Sequence, residues 1–324
     1  MVSNQTNSLI NEAFLPKVSV IVPVYNGEAD IPDLISCLCV QTYPRDRVEY
    51  LLVDNASRDR TADIIKAASE DSKRQGLIIR YLSENQIQSS YAARNTGIRA
   101  ATGDFLAFTD VDCRPQPNWL NSLIQPFVNP VVGLVAGSIE ALPGKTLLEK
   151  YAAKNNPLDT EMGLSYPFGS YIVTANLAVR RQVFEQVGLF RSHLTTGGDA
   201  DFSWRALRQT SWQYYYAKQA LVLHRHRSTL SEFRSQWRRY GRSDRYLHEL
   251  HGTELAPELT FKYYLYSLIG WLLKLPINTI KIIVGKATLV DILSVPIELI
   301  ILQAKLAGQK EAKLPEEAQQ IVWL

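Results

Sequence analysis

The chain is predicted to be an α/β protein with a doubly wound, mostly parallel sheet, an irregular second half and a C-terminal apolar helical extension. Three observations predict this. Short β-branched runs alternate with helix-like stretches from Val18 onward, the rhythm breaks after Ser138, and from about Leu255 the chain turns strongly apolar. Near-continuous apolar strands alternating with helices indicate a parallel sheet covered on both faces, with right-handed crossovers.

The elements follow in order. "VSVIVPV" from Val18, "VEYLLVDN" from Val48, "LIIRYL" from Leu77 and "FLAFTD" from Phe105 read as strands. "ADIPDLISCLCVQ", "RTADIIKAASE" and "SYAARNTGIRAA" read as the helices between them. A Pro/Gly turn at "LPGK" and a polar stretch through residue 165 then lead into "YPFGSYIVTANLAVRRQVFEQVGLF", a less regular half expected to close over the rim of the sheet. The expected divisions are a polar tail over 1–16, a domain over 17–250 split into 17–138 and 139–250, and a helical extension over 251–324.

With 46% hydrophobic and 21% charged residues in 324, the composition is that of a globular protein with ample core. A net charge of +3 gives no whole-molecule argument for nucleic acid, so no such partner is expected. Cys37, Cys39 and Cys113 show no CxxC spacing and suit a reducing compartment. The opening "MVSNQTNSLINEAF" has neither a basic n-region nor an apolar h-region, so a cytoplasmic location is expected. The apolar stretches 263–285 and 287–304 are interrupted by Lys274, Pro276, Lys281, Asp291, Pro296 and Glu298. A spanning helix wants about 20 largely uncharged residues. The stretches therefore read as helices lying in a membrane interface, or as a pair packed on the domain or on a second subunit.

In an open parallel sheet, ligands bind at the carboxyl ends of the strands. That rule places Tyr25, Asp54, Asp110 and Asp112 along one rim. In an extended segment Asp110 and Asp112 share a face and repel unless a cation or protein donors compensate. A divalent metal with oxygen ligands, Mg²⁺ or Mn²⁺, satisfies them; the alternative is a turn whose aspartates cap the helix starting near Pro117 and Trp119. No GxGxxG follows any strand and no GxxxxGK[ST] occurs, so neither the dinucleotide fingerprint nor a P-loop is available. His224 and His226 read as sharing one face of an extended segment. Residues 225–245 carry seven arginines against Glu232 and Asp244; Arg234, Arg238, Arg242 and Arg245 fall on one helical stripe, either a solvated face or a phosphate site.

Taken together and in order, "VIVPVYNGE", "LLVDNASRDRT", "YAARNTGIRAATGDFLAFTDVDC", "GGDADFSWRA" and "HRHRSTL" resemble a family 2 glycosyltransferase of the inverting, nucleotide-sugar-dependent type with the GT-A fold. The likeness covers roughly residues 17–245 and leans towards bacterial members that build surface or extracellular polysaccharide. It implies that Pro23, Tyr25 and Asp54 bind the nucleoside, with Asp54 on the base. It implies that Arg94, beside Asn95, lies near the base or diphosphate, that Asp110 approaches the ribose, and that Asp112 holds the metal, with His224, or secondarily His226, completing the shell. Asp199 is implied as general base, with Asp201 as competitor; Gly198 stands where the family usually has a glutamate. The implied donor is a nucleoside diphosphate sugar, with a lean to uridine. The implied acceptor is a saccharide or a polyprenyl-pyrophosphate-linked saccharide, at the inner face of the cell membrane. A nucleotide-sugar-forming nucleotidyltransferase lacks support, because "PVYNGEADIP" holds no glycine-rich basic loop.

Overall fold

The computed structural model describes residues 14–324; the tail expected over 1–16 lies outside the described residues as far as residue 13. In chain order the strands are β1 (Val18–Val24), β2 (Val48–Asp54), β3 (Ile78–Ser83), β4 (Phe105–Thr109), β5 (Cys113–Pro115), β6 (Val132–Ala141), β7 (Asn176–Arg180) and β8 (Gln213–His224). The helices are α1 (Ile31–Cys39), α2 (Thr61–Arg74), α3 (Ser90–Ala100), α4 (Trp119–Ile124), α5 (Leu147–Asn155), α6 (Thr160–Leu164), α7 (Arg181–Val187), α8 (Gly198–Gln209), α9 (Leu230–His251), α10 (Phe261–Ile283) and α11 (Leu289–Glu311).

The described residues divide into two compact units. One contains the chain through Glu140, Leu158–His224 and Pro315–Leu324; the other contains Ala141–Pro157 and Arg225–Leu314. In the first unit the eight strands form one sheet in the order β3-β2-β1-β4-β7-β6-β8-β5. β3, β2, β1 and β4 are parallel. The pairs β4–β7, β6–β7 and β5–β8 are antiparallel, which is how the irregular half joins the sheet. The chain runs outward through β2 and β3 and returns to the other edge of β1 as β4. A topological switch point therefore lies between β1 and β4.

Every residue of β1 and β2 is buried, as strands covered on both faces require. A Cβ added to Gly97 of α3 would come within 2.5 Å of the Ile21 side chain, so α3 lies close on β1 because this position has no side chain. A polar cluster sits beneath the same strands. Glu49 accepts from Ser19 Oγ at 2.7 Å, Thr102 N–H at 2.7 Å, Thr102 Oγ1 at 2.8 Å and Arg80 at 2.8 Å. Burial raises the Glu49 carboxyl, but these donors outweigh it and hold the group below its usual value. In the second half Asn176 of β7 acts as a hub: Trp119 donates to its side chain at 2.8 Å, and its amide donates to the carbonyls of Ser138 and Ala220, each at 2.7 Å.

The last ten residues belong to the first unit. Leu189 N–H donates to the Val322 carbonyl at 2.8 Å, and Arg191 donates to the Ala318 carbonyl at 3.0 Å. The second unit is helical. Its apolar centre joins Tyr151, Phe233, Val290, Ile297 and Ile301 from α5, α9 and α11. The backbones of α9 and α11 approach closely, because a Cβ on Gly241 would run into the Lys305 carbonyl and one on Gly308 into the Arg238 carbonyl. Helix α10 buries none of its 23 residues. Among the described residues no helix is long and apolar enough to cross a membrane.

Candidate active site

The rim at the switch point is built from three loops. The loop after β1 carries Tyr25, which is about half exposed, and the loop after β2 follows Asp54, which is buried. Register fixes their levels, since Val24 pairs with Asp54 across the sheet. The two loops are laced together: Asn26 N–H donates to Ser57 Oγ at 2.9 Å, Gly27 N–H to Thr61 Oγ1 at 2.8 Å, Glu28 N–H to Asp59 at 3.1 Å and Arg58 N–H to Asn26 Oδ1 at 2.9 Å. Both loops pass through left-handed backbone at residues other than glycine, Asn26 at φ 48° and Ala56 at φ 58°. Such positions are uncommon and persist only where their surroundings hold them. Ser57 and Asp59 therefore join two loops rather than only capping one helix. Asp54 accepts from Ser57 N–H at 3.1 Å, and Pro23 completes the buried end of β1.

The third loop follows β4. Asp110 and Asp112 were expected in an extended segment, but the backbone turns: Cys113 N–H donates to the Asp110 carbonyl at 3.0 Å. The turn, not strand periodicity, sets the two carboxylates. Arg114 anchors it, donating to the Val111 carbonyl at 3.1 Å and to Asp30 at 2.9 Å near the start of α1. Arg94, buried on α3, donates to Asp110 at 2.6 Å. Burial raises the Asp110 carboxyl above its usual range; Arg94 and His224 pull it down, while Asp112 and Asp199 push it up. These groups therefore share one electrostatic neighbourhood.

The antiparallel half supplies the rest. Cys113 pairs with His224 across β5 and β8, which sets His224 Nε2 3.5 Å from the Asp112 carboxylate. His226, two residues beyond the end of β8, is buried too. Among the described residues no three His, Cys, Asp or Glu side chains are gathered as a ready cage for a metal. A hard divalent ion does not need one, since Mg²⁺ keeps waters and is commonly held by one or two protein ligands plus substrate phosphates. Asp112 and His224 fit that pattern, with Asp110 already engaged by Arg94.

Asp199 lies in the first turn of α8, where an anionic group is favoured by the helix N-terminus. Thr174 Oγ1 donates to it at 3.0 Å, and Thr174 N–H at 3.3 Å. Asp201, two residues on, is fully buried between arginines: Arg191 donates at 2.9 Å and Arg205 at 3.0 Å. Its carboxylate has no exposed surface and is enclosed by the two guanidinium groups. Asn95 is likewise structural, its side chain binding Phe190 and Ser192. On the arginine stripe, Arg238 pairs with Glu311 and Arg245 with Glu249, so half of it is ion-paired. Thr174 and Tyr91 were not singled out from the sequence. Tyr91 lies three residues before Arg94, whose guanidinium sits 5.5 Å from the centre of its ring; that i, i+3 spacing was the available signal.

The profile described as Glycosyl transferase family 2 matches residues 19–188, more than half of the chain, and that of Glycosyl transferase family group 2 matches residues 107–305. The chain belongs to glycosyl transferase family 2. Glycosyltransferase AglE of Haloferax volcanii is 40% identical over 194 residues, covering 59% of this chain and 62% of that one. A dolichyl N-acetyl-α-D-glucosaminyl phosphate 3-β-D-2,3-diacetamido-2,3-dideoxy-β-D-glucuronosyltransferase of Methanococcus voltae is 25% identical over 233 residues, 69% of this chain and 71% of that one. The first-matching curated relatives are spanned over only 43% to 62% of their own length. A mannosyltransferase of Pyrobaculum calidifontis, solved with GDP-Man and Mn²⁺, has a TM-score of 0.58 at 21% identity, covering 76% of this chain and 67% of that one. That likeness is one of fold, and the fold is GT-A. This family 2 glycosyltransferase departs from the expected glutamate at Gly198 for a visible reason: a Cβ there would come within 2.8 Å of the Tyr91 ring.

Proposed function

We propose that this glycosyltransferase moves one sugar, with inversion, from a nucleoside diphosphate sugar, with UDP favoured, to a hydroxyl of a saccharide or lipid-linked saccharide acceptor. The observation that carries this reading is Asp199, held by Thr174 in the same electrostatic neighbourhood as Asp110, Asp112 and His224. Pro23, Tyr25 and Asp54 take the nucleoside at the ends of β1 and β2. Arg94 fixes Asp110, which faces the ribose. Asp112 and His224 hold a divalent metal ion, Mg²⁺ or Mn²⁺, which when bound offsets charge on the departing diphosphate. Asp199 accepts the proton of the acceptor hydroxyl as its oxygen bonds to the anomeric carbon and the bond to the diphosphate breaks on the opposite face. No covalent sugar–protein bond is formed.

The acceptor reading draws on the Methanococcus voltae relative, named for transfer to dolichyl N-acetyl-α-D-glucosaminyl phosphate. Helix α10 supports it from the other side. Its exposed apolar residues include Phe261, Tyr266, Leu273, Ile277 and Ile280, and its charged residues are Lys262, Lys274 and Lys281 alone. A helix of that kind suits an anionic lipid surface, which supports the reading of an enzyme acting at the inner face of the cell membrane in surface or extracellular polysaccharide synthesis.

The test is a thermal-shift panel of nucleoside diphosphates, each with Mn²⁺, Mg²⁺ or EDTA. A ligand at about 100 times its dissociation constant adds roughly 2.7 kcal/mol of stability. One diphosphate should stabilise the protein only with metal, and Asp112→Ala should abolish the shift. Transfer from the matching sugar nucleotide, followed by NMR of the product anomer, then checks inversion. No metal-dependent shift with any diphosphate would overturn the donor site.

A further inference from the structure

The loop between α6 and β7, together with the C-terminal half of α8, forms an aromatic shelf that the mechanism above does not use. The loop runs antiparallel to α8, and its bonds to the helix follow one another in order. Thr174 donates to Asp199 at 3.0 Å, Ile172 N–H to Ser203 Oγ at 3.1 Å, and the Trp204 indole to the Gly169 carbonyl at 2.8 Å; Arg208 then donates to the Phe168 carbonyl. Trp204 is the buried floor. Phe168 meets it edge-on with ring centres 4.7 Å apart, Tyr166 lies nearly parallel to it at 6.2 Å, and Tyr171 meets Tyr166 edge-on at 5.4 Å. The guanidinium of Arg208, an exposed residue, sits 4.4 Å from the centre of the Phe168 ring. Gly169 permits this packing: its φ is 144°, and a Cβ there would come within 3.0 Å of Arg208 and 3.4 Å of the Trp204 indole nitrogen.

Tyr166 is 37% exposed and Phe168 and Tyr171 are half-buried, so the rings that cover Trp204 leave aromatic surface open. Asp199, on the same helix, is half-buried. At 1.5 Å of rise per residue, Trp204 lies about 7.5 Å along the axis from Asp199 and Arg208 about 13.5 Å, a separation that linked sugar rings span. Resting on the proposed role of Asp199, we propose that Tyr166, Phe168 and Arg208 bind a saccharide unit of the acceptor, next to the ring whose hydroxyl reacts. A pyranose presents C–H bonds of slight positive charge on one face, which complement the electron-rich face of an aromatic ring. Its hydroxyls lie round the edge, where a guanidinium can donate to them. An apolar chain is a poorer match, because Ser165, Ser170 and the Arg208 charge interrupt the rings. The bonds to α8 order the loop before any acceptor arrives, which lowers the cost of binding.

The experiment uses the full chain as wild type, Tyr166→Phe, Tyr166→Leu and Phe168→Leu. Saturation-transfer NMR is read on cellobiose, N,N′-diacetylchitobiose, methyl α-D-mannopyranoside and n-decyl phosphate, with and without nucleoside diphosphate and Mn²⁺. In wild type at least one saccharide should receive saturation, concentrated on the C–H protons of one ring face. Tyr166→Phe keeps the ring and should bind that saccharide within about twofold of wild type, whereas the two leucine variants keep apolar bulk without a ring and should bind it about tenfold more weakly. Tyr166 is exposed, so Tyr166→Leu should keep the melting temperature, and the metal-dependent shift given by the diphosphate panel should be the same as in wild type. Saturation of no saccharide by wild type, equal binding by wild type and Tyr166→Leu, loss of the diphosphate shift in Tyr166→Leu, or binding of decyl phosphate alone overturns the proposal. If no diphosphate gives a metal-dependent shift even in wild type, the donor reading fails by itself, and the nucleotide-free spectra still decide whether the shelf takes a sugar.

Discussion

Strand β1 and helix α10 are both apolar sequences, yet all seven residues of β1 are buried and none of the 23 of α10 is. The difference lies in their neighbours. β1 pairs with β2 on one edge and β4 on the other, and α3 closes on it through Gly97. In α10, Trp271 donates to the Ile292 carbonyl of α11 at 2.7 Å, and the helix packs on α11 without burying any residue. Hydropathy records which side chains leave water favourably, not what they meet. The sheet meets itself, whereas the apolar side chains of α10 stay open to solvent.

Mutations at the rim should break this contrast most strongly, because function there depends on single atoms. Asp199→Asn should cut transfer about 10²- to 10⁴-fold, the usual contribution of a general base, while nucleotide binding by thermal shift is kept. Retained transfer would remove Asp199 from the mechanism. Two residues away, Asp201→Asn should act on the fold instead. It leaves Arg191 and Arg205 buried against a neutral group and should cost about 3–5 kcal/mol in urea unfolding. The two aspartates should thus separate cleanly into an activity loss and a stability loss.

A matched pair sharpens the comparison further. Ile21→Ala in the sheet should cost about 2–5 kcal/mol, whereas Ile280→Ala on α10 should change stability by under about 0.5 kcal/mol. Equal costs would mean that α10 is covered by protein. For lipid contact the order reverses: Leu273→Glu with Ile280→Glu should abolish co-sedimentation with phosphatidylglycerol vesicles at unchanged melting temperature, and Ile21→Ala should not affect it.

A smaller loss than that of Ile21→Ala is expected at Glu49. Glu49→Gln should cost about 1–3 kcal/mol at neutral pH, from a charge-accepting cluster left half-satisfied. Because the folded group titrates below its unfolded value of about 4.3, its stabilisation is full above that value and is lost as pH falls through the lower folded one. Urea midpoints between about pH 5 and pH 3 should therefore fall more steeply in wild type than in Glu49→Gln.

What the sequence determined is local. Contiguous β-branched runs define the four parallel strands, because a strand buried on both faces must be apolar at every position. Parallel connectivity in turn places Tyr25, Asp54, Asp110 and Asp112 on one rim. The helical periodicity that predicted an arginine stripe was also real. What only the tertiary structure decided is which distant groups touch. The turn at Asp110–Cys113 replaced an expected extension, since Arg114 pins it to Asp30 on another element. His224 reached Asp112 through antiparallel pairing of β5 with β8, and the ring of Tyr91 filled the space left at Gly198. Asp199, the implied base, and Asp201, its competitor, came to differ in surroundings when Thr174 reached one and two arginines enclosed the other. Local propensity is set by neighbours a few residues away, whereas burial and hydrogen bonding across elements are set by packing, and the chemistry of a carboxylate follows the second.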